Sequence, residues 1–203
     1  MKLYYSKGAC SLAPHIILQE LGVPCEFIAV DLASHTLKST GEDFYKINPK
    51  GAVPSLQLDN GEIITENAVI QQYLADTFKA TELLPEVGNI KRYRVLEWLN
   101  FASTDLHKGF SPLFNRDVPQ DVKDNVFKPV LFKRFDVLNK QLANQPYLTG
   151  DHFTLPDAYV FVTLTWTRGL GIDLSPWPNL VKFQALIRAR PAVEKAFVEE
   201  GLK

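Results

Sequence analysis

The sequence predicts an α/β domain followed by an all-α domain. Strand-like and helix-like segments alternate through the first 80 residues, whereas only long helical periodicities follow residue 88. The intervening residues 80–88 (ATELLPEVG) contain a proline and a glycine and separate the two patterns. We therefore predict domains at 1–80 and 88–203, with the element order β-α-β-α-β-β-α in the first domain.

The elements of the first domain follow from short apolar runs between turn residues. Strands are expected at 3–5, 25–31, 52–58 and 62–64, helices at 12–21, 43–47 and 68–78, and irregular chain at 32–41. A strand, a helix and a second strand within about 30 residues predict a βαβ unit with parallel strands. Asp59-Asn60-Gly61 is typical of a hairpin turn.

Helical periodicity in the second domain predicts helices at 90–110, 118–142, 157–170 and 180–190. Thr154 and Asp157 stand at the spacing of a capping box, with Phe153 placed as a staple residue. We interpret this signal as a folding feature.

Composition limits the function classes. With 203 residues, a net charge of −1 and 22% charged residues, the chain offers no basic surface that would favour nucleic acid or an anionic membrane. No window approaches about 18 uninterrupted apolar residues, and the N-terminus lacks a secretory signal pattern. Two cysteines are too few for a disulfide framework, and no His, Cys or acidic cluster has metal-ligand spacing. We expect a cytoplasmic protein without a metal.

Cys10 is the first candidate for chemistry. It follows the turn between the first strand and the first helix, where unpaired N–H groups and the helix dipole stabilise a thiolate. Such a position suits an anion site, a sulfur-ligand site or thiol chemistry. A small buried hydrophobic residue is the competing interpretation, and this stretch alone does not separate the two.

Several longer motifs resemble the bacterial beta class of glutathione transferases over essentially the whole chain. They are MKLYYSKGACSLAPHI, NPKGAVPSLQLDNG, ITENAVIQQYLAD, EWLNFASTDLHKGFSPLF, GDHFTLPDAYVF and EEGLK. The resemblance implies a thioredoxin-like domain that binds glutathione as co-substrate, and a helical domain that supplies much of the pocket for a small hydrophobic electrophile. It also implies a homodimer.

The resemblance further implies two catalytic residues, Cys10 beside the glutathione sulfur and His107 reaching the same sulfur from the helical domain. Ala9, in the turn before Cys10, is included among the glutathione contacts. The Val53–Pro54 bond is expected to be cis, presenting the Val53 backbone to the cysteinyl part of glutathione.

Physical reasoning adds further expected contacts. Glu66 can accept from the ligand ammonium, and the N–H groups of Asn67 and Ala68 can hold the γ-glutamyl carboxylate at a helix N-terminus. At α-helical spacing, one helix face would carry four polar residues and form a wall of a cleft: Asn100, Thr104, His107 and Lys108.

The sequence departs from the usual beta-class pattern at several of these positions. Lysine is usual at His35, so that either His35 or Lys38 is expected to meet the glycyl carboxylate. Asn67 stands where Gly or Ser is common, so its backbone role is more secure than a side-chain role. Asp105 replaces a more usual Glu, which would weaken a contact across the dimer to the ligand ammonium.

Other candidates are interpreted as structural. We expect His15 to be structural, Cys25 to lie in the core and His152 to lie in an exposed loop. Tyr5 is read as a packing residue, with thiol activation as a minor alternative.

The predicted function is conjugation of glutathione to electrophilic, often aromatic, substrates, together with Cys10-dependent thiol–disulfide activity. The alternatives are a redox enzyme (thiol transferase, peroxidase or reductive dehalogenase) and a non-catalytic ligand-binding protein. Substrate specificity is expected near 110–116 and 163–170. Whether the role is detoxification or catabolism stays open.

Overall fold

The computed structural model describes all 203 residues, which form two packed units. The first unit comprises Met1–Thr81 and Arg190–Lys203, and the second comprises Glu82–Ala189. The C-terminal segment thus packs with the first unit, whereas we had assigned all of 88–203 to the helical domain.

The first unit contains a five-stranded sheet in the order β3-β2-β1-β4-β5. The strands are β1 (Lys2–Tyr5), β2 (Glu26–Asp31), β3 (Thr36–Leu37), β4 (Ser55–Gln57) and β5 (Ile63–Thr65). As predicted, β1 and β2 are parallel, and β4 and β5 form an antiparallel hairpin. The expectation that 32–41 is irregular was wrong at β3, a two-residue strand that pairs antiparallel with β2.

Three α-helices and one 3-10 turn accompany the sheet. They are α1 (Leu12–Leu21), the 3-10 turn Phe44–Lys46, α2 (Asn67–Thr77) and a C-terminal helix, Pro191–Glu199. This last helix was not predicted. Its buried residues Val193, Ala196 and Phe197 lie at helical spacing, and it packs against α1.

Side-chain alternation along β1 fixes the two layers of this unit. Leu3 pairs with Leu56 in the sheet register, and both are fully buried. Tyr4, one residue on, points to the opposite face. There it packs in a cluster with Val30, Phe44 and Val53, so that the chain around Val53 is anchored in the core.

The second unit is helical. Its helices are α3 (Ile90–Phe101), α4 (Lys108–Phe114), α5 (Gln120–Val122), α6 (Lys128–Gln141), α7 (Leu155–Gly169) and α8 (Pro178–Arg188), so the C-terminal helix is α9. Two π-helical segments, Ala102–His107 and Lys123–Phe127, interrupt the two longest predicted helices. The predicted capping box at Thr154 and Asp157 is present at the start of α7.

Candidate active site

Cys10 lies in the turn between β1 and α1 and is only 7% exposed. Its Sγ donates to the Val53 carbonyl oxygen at 3.2 Å. The Ser11 hydroxyl bonds to the Ser6 backbone, and Leu12 N donates to the Ala9 carbonyl. The tight turn predicted from the sequence therefore holds the thiol close to the loop that precedes β4.

The Val53–Pro54 peptide bond is cis, as expected. A side chain that the sequence analysis overlooked holds this loop: Asn48 Nδ2 donates to the Ala52 carbonyl at 2.7 Å and to Ser55 Oγ at 3.1 Å. Asn48 is 1% exposed. No local pattern in the sequence indicates that Asn48 clamps this loop.

The start of α2 is conformationally unusual. Glu66 has a φ of 71°, a left-handed conformation that costs a non-glycine residue on the order of 1–3 kcal/mol and is frequent at functional sites. Its side chain is 63% exposed and accepts from Lys50 Nζ at 2.6 Å. Lys50 was not among our candidates. Since α2 begins at Asn67, the Asn67 and Ala68 N–H groups lie in a first turn that has no partners within the helix.

The side chain of Asn67 has a larger role than the sequence suggested. It is buried, and its Nδ2 donates to the Cys10 carbonyl at 2.6 Å. Its Oδ1 accepts from Gln71 Nε2 at 2.6 Å, which fixes the orientation of the Asn67 amide. A relay from Gln71 through Asn67 thus ties α2 to the residue that carries the thiol.

His35 contacts neighbouring residues, whereas Lys38 is exposed. His35 has a φ of 51°, its Nδ1 is 3.1 Å from the Gly51 carbonyl oxygen, and its ring lies 4.6 Å from that of Tyr45. A side chain at Gly51 would meet Tyr45 at 2.6 Å, so this position requires glycine. Lys38 is exposed on the loop after β3.

In the second unit, His107 closes the first π-helical segment, an irregularity frequent at functional sites. Its Nδ1 lies 2.7 Å from the Tyr159 hydroxyl, and its ring packs edge-on to Trp166 at 5.1 Å. Burial, with a smaller contribution from the charge of Lys108, lowers the pKa of His107 from 6.5 to about 4. The imidazole is therefore neutral at pH 7, and a pKa this low makes it a weak proton acceptor.

The other residues predicted on this helix face do not keep the α-helical spacing that we expected. The spacing that placed them on one face assumed an unbroken α-helix, and the π-helical segment changes that register. Thr104 Oγ1 donates to the Asn100 carbonyl and to Asp105, and Asp105 pairs with Arg134 Nε at 2.8 Å. Asn100, Thr104 and Lys108 are exposed.

A cluster of aromatic side chains lies next to His107, in the two ranges, 110–116 and 163–170, where we expected substrate specificity. Phe114 and Trp166 contact each other edge-on with ring centroids 5.6 Å apart, and Phe110 lies 5.5 Å from Trp166. Phe114 is 51% exposed. An exposed aromatic surface of this kind favours stacking with a planar apolar ligand.

The other candidates lie outside this chemistry. Cys25 is half-buried just before β2, so its assignment to the core was wrong, and burial raises the pKa of its thiol to about 11. Burial also raises the pKa of the Tyr5 hydroxyl above its usual range. His15 is fully buried and held by two glutamates, and His152, whose side chain is 44% exposed, pairs with Asp151.

Two whole-molecule features complete the description. No group of three or more His, Cys, Asp or Glu side chains is placed to hold a metal ion. None of the helices has the length and apolarity that crossing a membrane demands.

A mixed sheet with a cysteine at the opening of its first helix, accompanied by a helical unit, defines a thioredoxin-like domain joined to an all-α domain. The chain matches the family models for the glutathione S-transferase N-terminal domain over residues 8–77 and C-terminal domain over residues 101–191. It is 42% identical to glutathione S-transferase GstA of Escherichia coli O157:H7 over the whole of both chains. The chain belongs to the glutathione transferase family.

Solved structures agree with this assignment. A sphingomonad glutathione S-transferase complexed with glutathione is 41% identical, with a TM-score of 0.94 over the whole of both chains. A bacterial beta-class glutathione S-transferase from Sphingomonas chungbukensis is 40% identical, with a TM-score of 0.95 over the whole of both chains. The predicted resemblance to the beta class and the predicted fold are thereby confirmed.

Proposed function

We propose that the protein conjugates glutathione to small electrophilic, often aromatic, compounds and that Cys10 additionally performs thiol–disulfide exchange with glutathione. The observation that carries the second part is the position of Cys10. Its buried thiol lies 3.2 Å from the Val53 carbonyl oxygen, and Asn67 Nδ2 at the start of α2 donates to the Cys10 carbonyl. Three separate segments of the first unit therefore converge on Cys10.

The same convergence suits glutathione. In the proposed mode, the Val53 backbone meets the cysteinyl part of the tripeptide, beside Ala9, Cys10 and Pro54. The first-turn N–H groups of Asn67 and Ala68 hold the γ-glutamyl carboxylate, and the Glu66 carboxylate accepts from the ligand ammonium. Glu66 exchanges its present partner Lys50 for the ligand in this mode. The glycyl carboxylate then falls to Lys38 or His35.

The two proposed reactions use different sulfur nucleophiles. In conjugation, the glutathione thiolate attacks an electrophilic carbon, a carbon–sulfur bond forms and a leaving group such as chloride departs with the electron pair. In exchange, the Cys10 thiolate attacks the glutathione sulfur of a disulfide between glutathione and a second thiol, the second thiol leaves as a thiolate, and a mixed disulfide of Cys10 and glutathione forms. A second glutathione thiolate attacks that mixed disulfide, which releases oxidised glutathione and restores the Cys10 thiolate.

We assign His107 the role of hydrogen-bond donor to the ligand thiolate, since its buried ring is neutral at pH 7 and still carries one N–H group. This assignment rests on the family resemblance together with that neutral ring. Asn100, Thr104, Asp105 and Lys108 remain proposed glutathione contacts. Phe114 and Trp166 are proposed to receive the aromatic electrophile because their rings form a half-exposed apolar surface.

We also propose a homodimer in the cytoplasm. Ile90 and Tyr93 on α3 are 66% and 52% exposed, and large exposed apolar side chains favour an interface. Sedimentation-equilibrium mass at micromolar concentration tests the dimer. A mass of one chain at every concentration would contradict it.

A predominantly redox enzyme is the second candidate, because Cys10 directly precedes the N-cap residue of α1, where first-turn N–H groups and the helix dipole stabilise a thiolate. Parallel assays separate the two. Conjugation to 1-chloro-2,4-dinitrobenzene and exchange with a glutathione mixed disulfide are measured for wild type, Cys10→Ala and His107→Ala, with Cys25→Ala as the matched control.

We expect Cys10→Ala to lose exchange and keep conjugation, because the ligand sulfur is the nucleophile in conjugation. His107→Ala should lower conjugation, and Cys25→Ala should change neither reaction. Exchange that survives in Cys10→Ala would contradict the assigned role of Cys10. Exchange without conjugation in the wild type would favour the redox enzyme.

A further inference from the structure

The C-terminal end of α9 meets α1 at a buried histidine. His15 is fully buried in α1, and its ring stacks on Phe27 with centroids 3.8 Å apart. Its Nε2 lies 2.7 Å from Glu199 Oε2, and its Nδ1 lies 3.0 Å from Glu200 Oε1. Each nitrogen of the ring therefore faces a carboxylate from the C-terminal segment.

The two glutamates differ in what else they hold. Glu199 is 31% exposed, and the same oxygen that faces His15 also accepts from the Gln19 amide. Glu200 has a fully buried carboxylate, and its second oxygen accepts from Gly8 N at 2.8 Å. A buried carboxylate is costly unless its oxygens are paired, and Glu200 uses one oxygen for α1 and the other for the turn before Cys10.

The residues after Glu200 also lie against this turn. A Cβ atom built on Gly8 would be 3.4 Å from Leu202 Cδ2, and one on Gly201 would be 3.6 Å from Lys7 Nζ. Gly8 has a φ of 69°, a conformation that favours glycine. The chain around Gly8 is therefore confined on one side by the C-terminal segment.

We propose that Glu200 is a positioning residue for Cys10: its carboxylate, held by His15, clamps the Gly8 amide and so fixes the turn that carries the thiol. The turn is short, and Ala9 N donates to the Ser6 carbonyl within it, so a fixed Gly8 also restricts Cys10. This inference rests on the function proposed for Cys10. A displacement of about 1 Å at a reacting group can cost on the order of a hundredfold in rate.

Glu199 provides a matched control. Glu199→Ala and Glu200→Ala each remove one carboxylate from His15, yet only Glu200→Ala removes the bond to Gly8. Glu200→Gln is a rescue variant, since its amide oxygen can still accept from the Gly8 amide. Glu200→Asp keeps the charge, but a carboxylate one carbon shorter does not reach both Gly8 and His15.

The experiment compares these four variants with the wild type in two measurements. One is the pH profile of Cys10 alkylation by iodoacetamide, followed by peptide mass spectrometry. The other is kcat and KM for exchange with a glutathione mixed disulfide. Circular dichroism and the thermal midpoint establish the temperature at which every variant is folded.

We expect Glu200→Ala to lower kcat for exchange about tenfold and to shift the alkylation profile, with Glu200→Asp following in the same direction. Glu199→Ala and Glu200→Gln should keep both readouts within about twofold of wild type. If Glu200→Ala does not fold, Glu200→Asp takes its place in the comparison. Equal effects of the Glu199 and Glu200 variants, or a wild-type profile in Glu200→Ala and Glu200→Asp, would overturn the proposal.

Alkylation needs no glutathione, so the two proposals fail separately. If the wild type performs no exchange, the function assigned to Cys10 fails, and the alkylation profiles still test whether Glu200 controls the turn. If exchange occurs and the Glu200 variants leave it unchanged, only the positioning role fails.

Discussion

Removal of the Asp157 carboxylate should be among the most destabilising single changes in the second unit. Asp157 is fully buried at the start of α7. Its Oδ1 accepts from Leu148 N, and its Oδ2 accepts from Thr154 N and from the Thr154 hydroxyl, each at 2.8 Å. One carboxylate thus caps the helix and secures the loop that precedes it.

The magnitude follows from the groups that Asp157→Ala would leave behind. Leu148 and Thr154 are 0% and 1% exposed, so both N–H groups lose their carboxylate partner away from water. An unpaired buried donor costs about 1–3 kcal/mol, and two give a loss of about 4 kcal/mol in the free energy of unfolding. The Thr154 hydroxyl adds little, because it is also within hydrogen-bond distance of Thr149 Oγ1 at 2.9 Å.

Thermal and urea unfolding of Asp157→Ala, Asp157→Asn and the wild type measure this loss. At about 2–4 °C per kcal/mol for a chain of this size, the thermal midpoint of Asp157→Ala should fall by about 8–16 °C. Asp157→Asn keeps one acceptor oxygen and should lose roughly half as much free energy. Asp151→Ala, on the exposed loop, is the control and should stay within about 0.5 kcal/mol of wild type. A loss below about 1 kcal/mol for Asp157→Ala would contradict the stabilising role assigned to these buried hydrogen bonds.

Three further predictions concern pH, the C-terminal helix and the second cysteine. Because the pKa of His107 is lowered to about 4, its ring stays neutral in the folded protein while the unfolded chain binds a proton. As the pH is lowered from 6.5 to 4, the free energy of unfolding should therefore fall more steeply in wild type than in His107→Gln, by about 1.4 kcal/mol per pH unit. Equal slopes of the two proteins, measured by urea unfolding at each pH, would contradict this. Arg190 donates to Glu20 through two nitrogens at 2.6 and 2.9 Å. Arg190→Lys should therefore lower the free energy of unfolding in urea by about 1–2 kcal/mol. An unchanged urea midpoint would contradict a stabilising role of this ion pair. Since burial raises the pKa of Cys25 to about 11, iodoacetamide at pH 8 should alkylate it about a hundredfold more slowly than free cysteine. Comparable alkylation rates, measured by mass spectrometry, would contradict the raised pKa.

Local sequence patterns were sufficient for much of the first unit. Strand-like runs and the Asp59-Asn60-Gly61 turn predicted the parallel pair and the hairpin, because each depends on residues close together in the chain. The capping box at Thr154 and Asp157 belongs to the same class of local signal.

The elements that sequence reasoning missed depend on distant partners or on backbone irregularity. Strand β3 has two residues and exists through its pairing with β2. Helix α9 is short, and the surface that it covers belongs to α1, nearly the whole chain away. The π-helical segment before His107 leaves no trace in hydrophobic periodicity, so the α-helical spacing we assumed there does not hold.

The candidate site shows the same limit. Cys10 and the cis Val53–Pro54 bond were expected from the motifs. The side-chain bond from Asn67 to the Cys10 carbonyl was not, because it joins residues whose distance only the fold determines. The same holds for Glu200, whose bond to Gly8 joins the two ends of the chain.

The conjugating function is tested by the initial rate at which the purified wild-type protein conjugates glutathione to 1-chloro-2,4-dinitrobenzene. We expect a rate that exceeds that of the uncatalysed reaction and that saturates with glutathione concentration. A rate equal to the uncatalysed one, with glutathione still bound in a calorimetric titration, would contradict the conjugating function. That outcome would leave a thiol–disulfide enzyme or a non-catalytic ligand-binding protein.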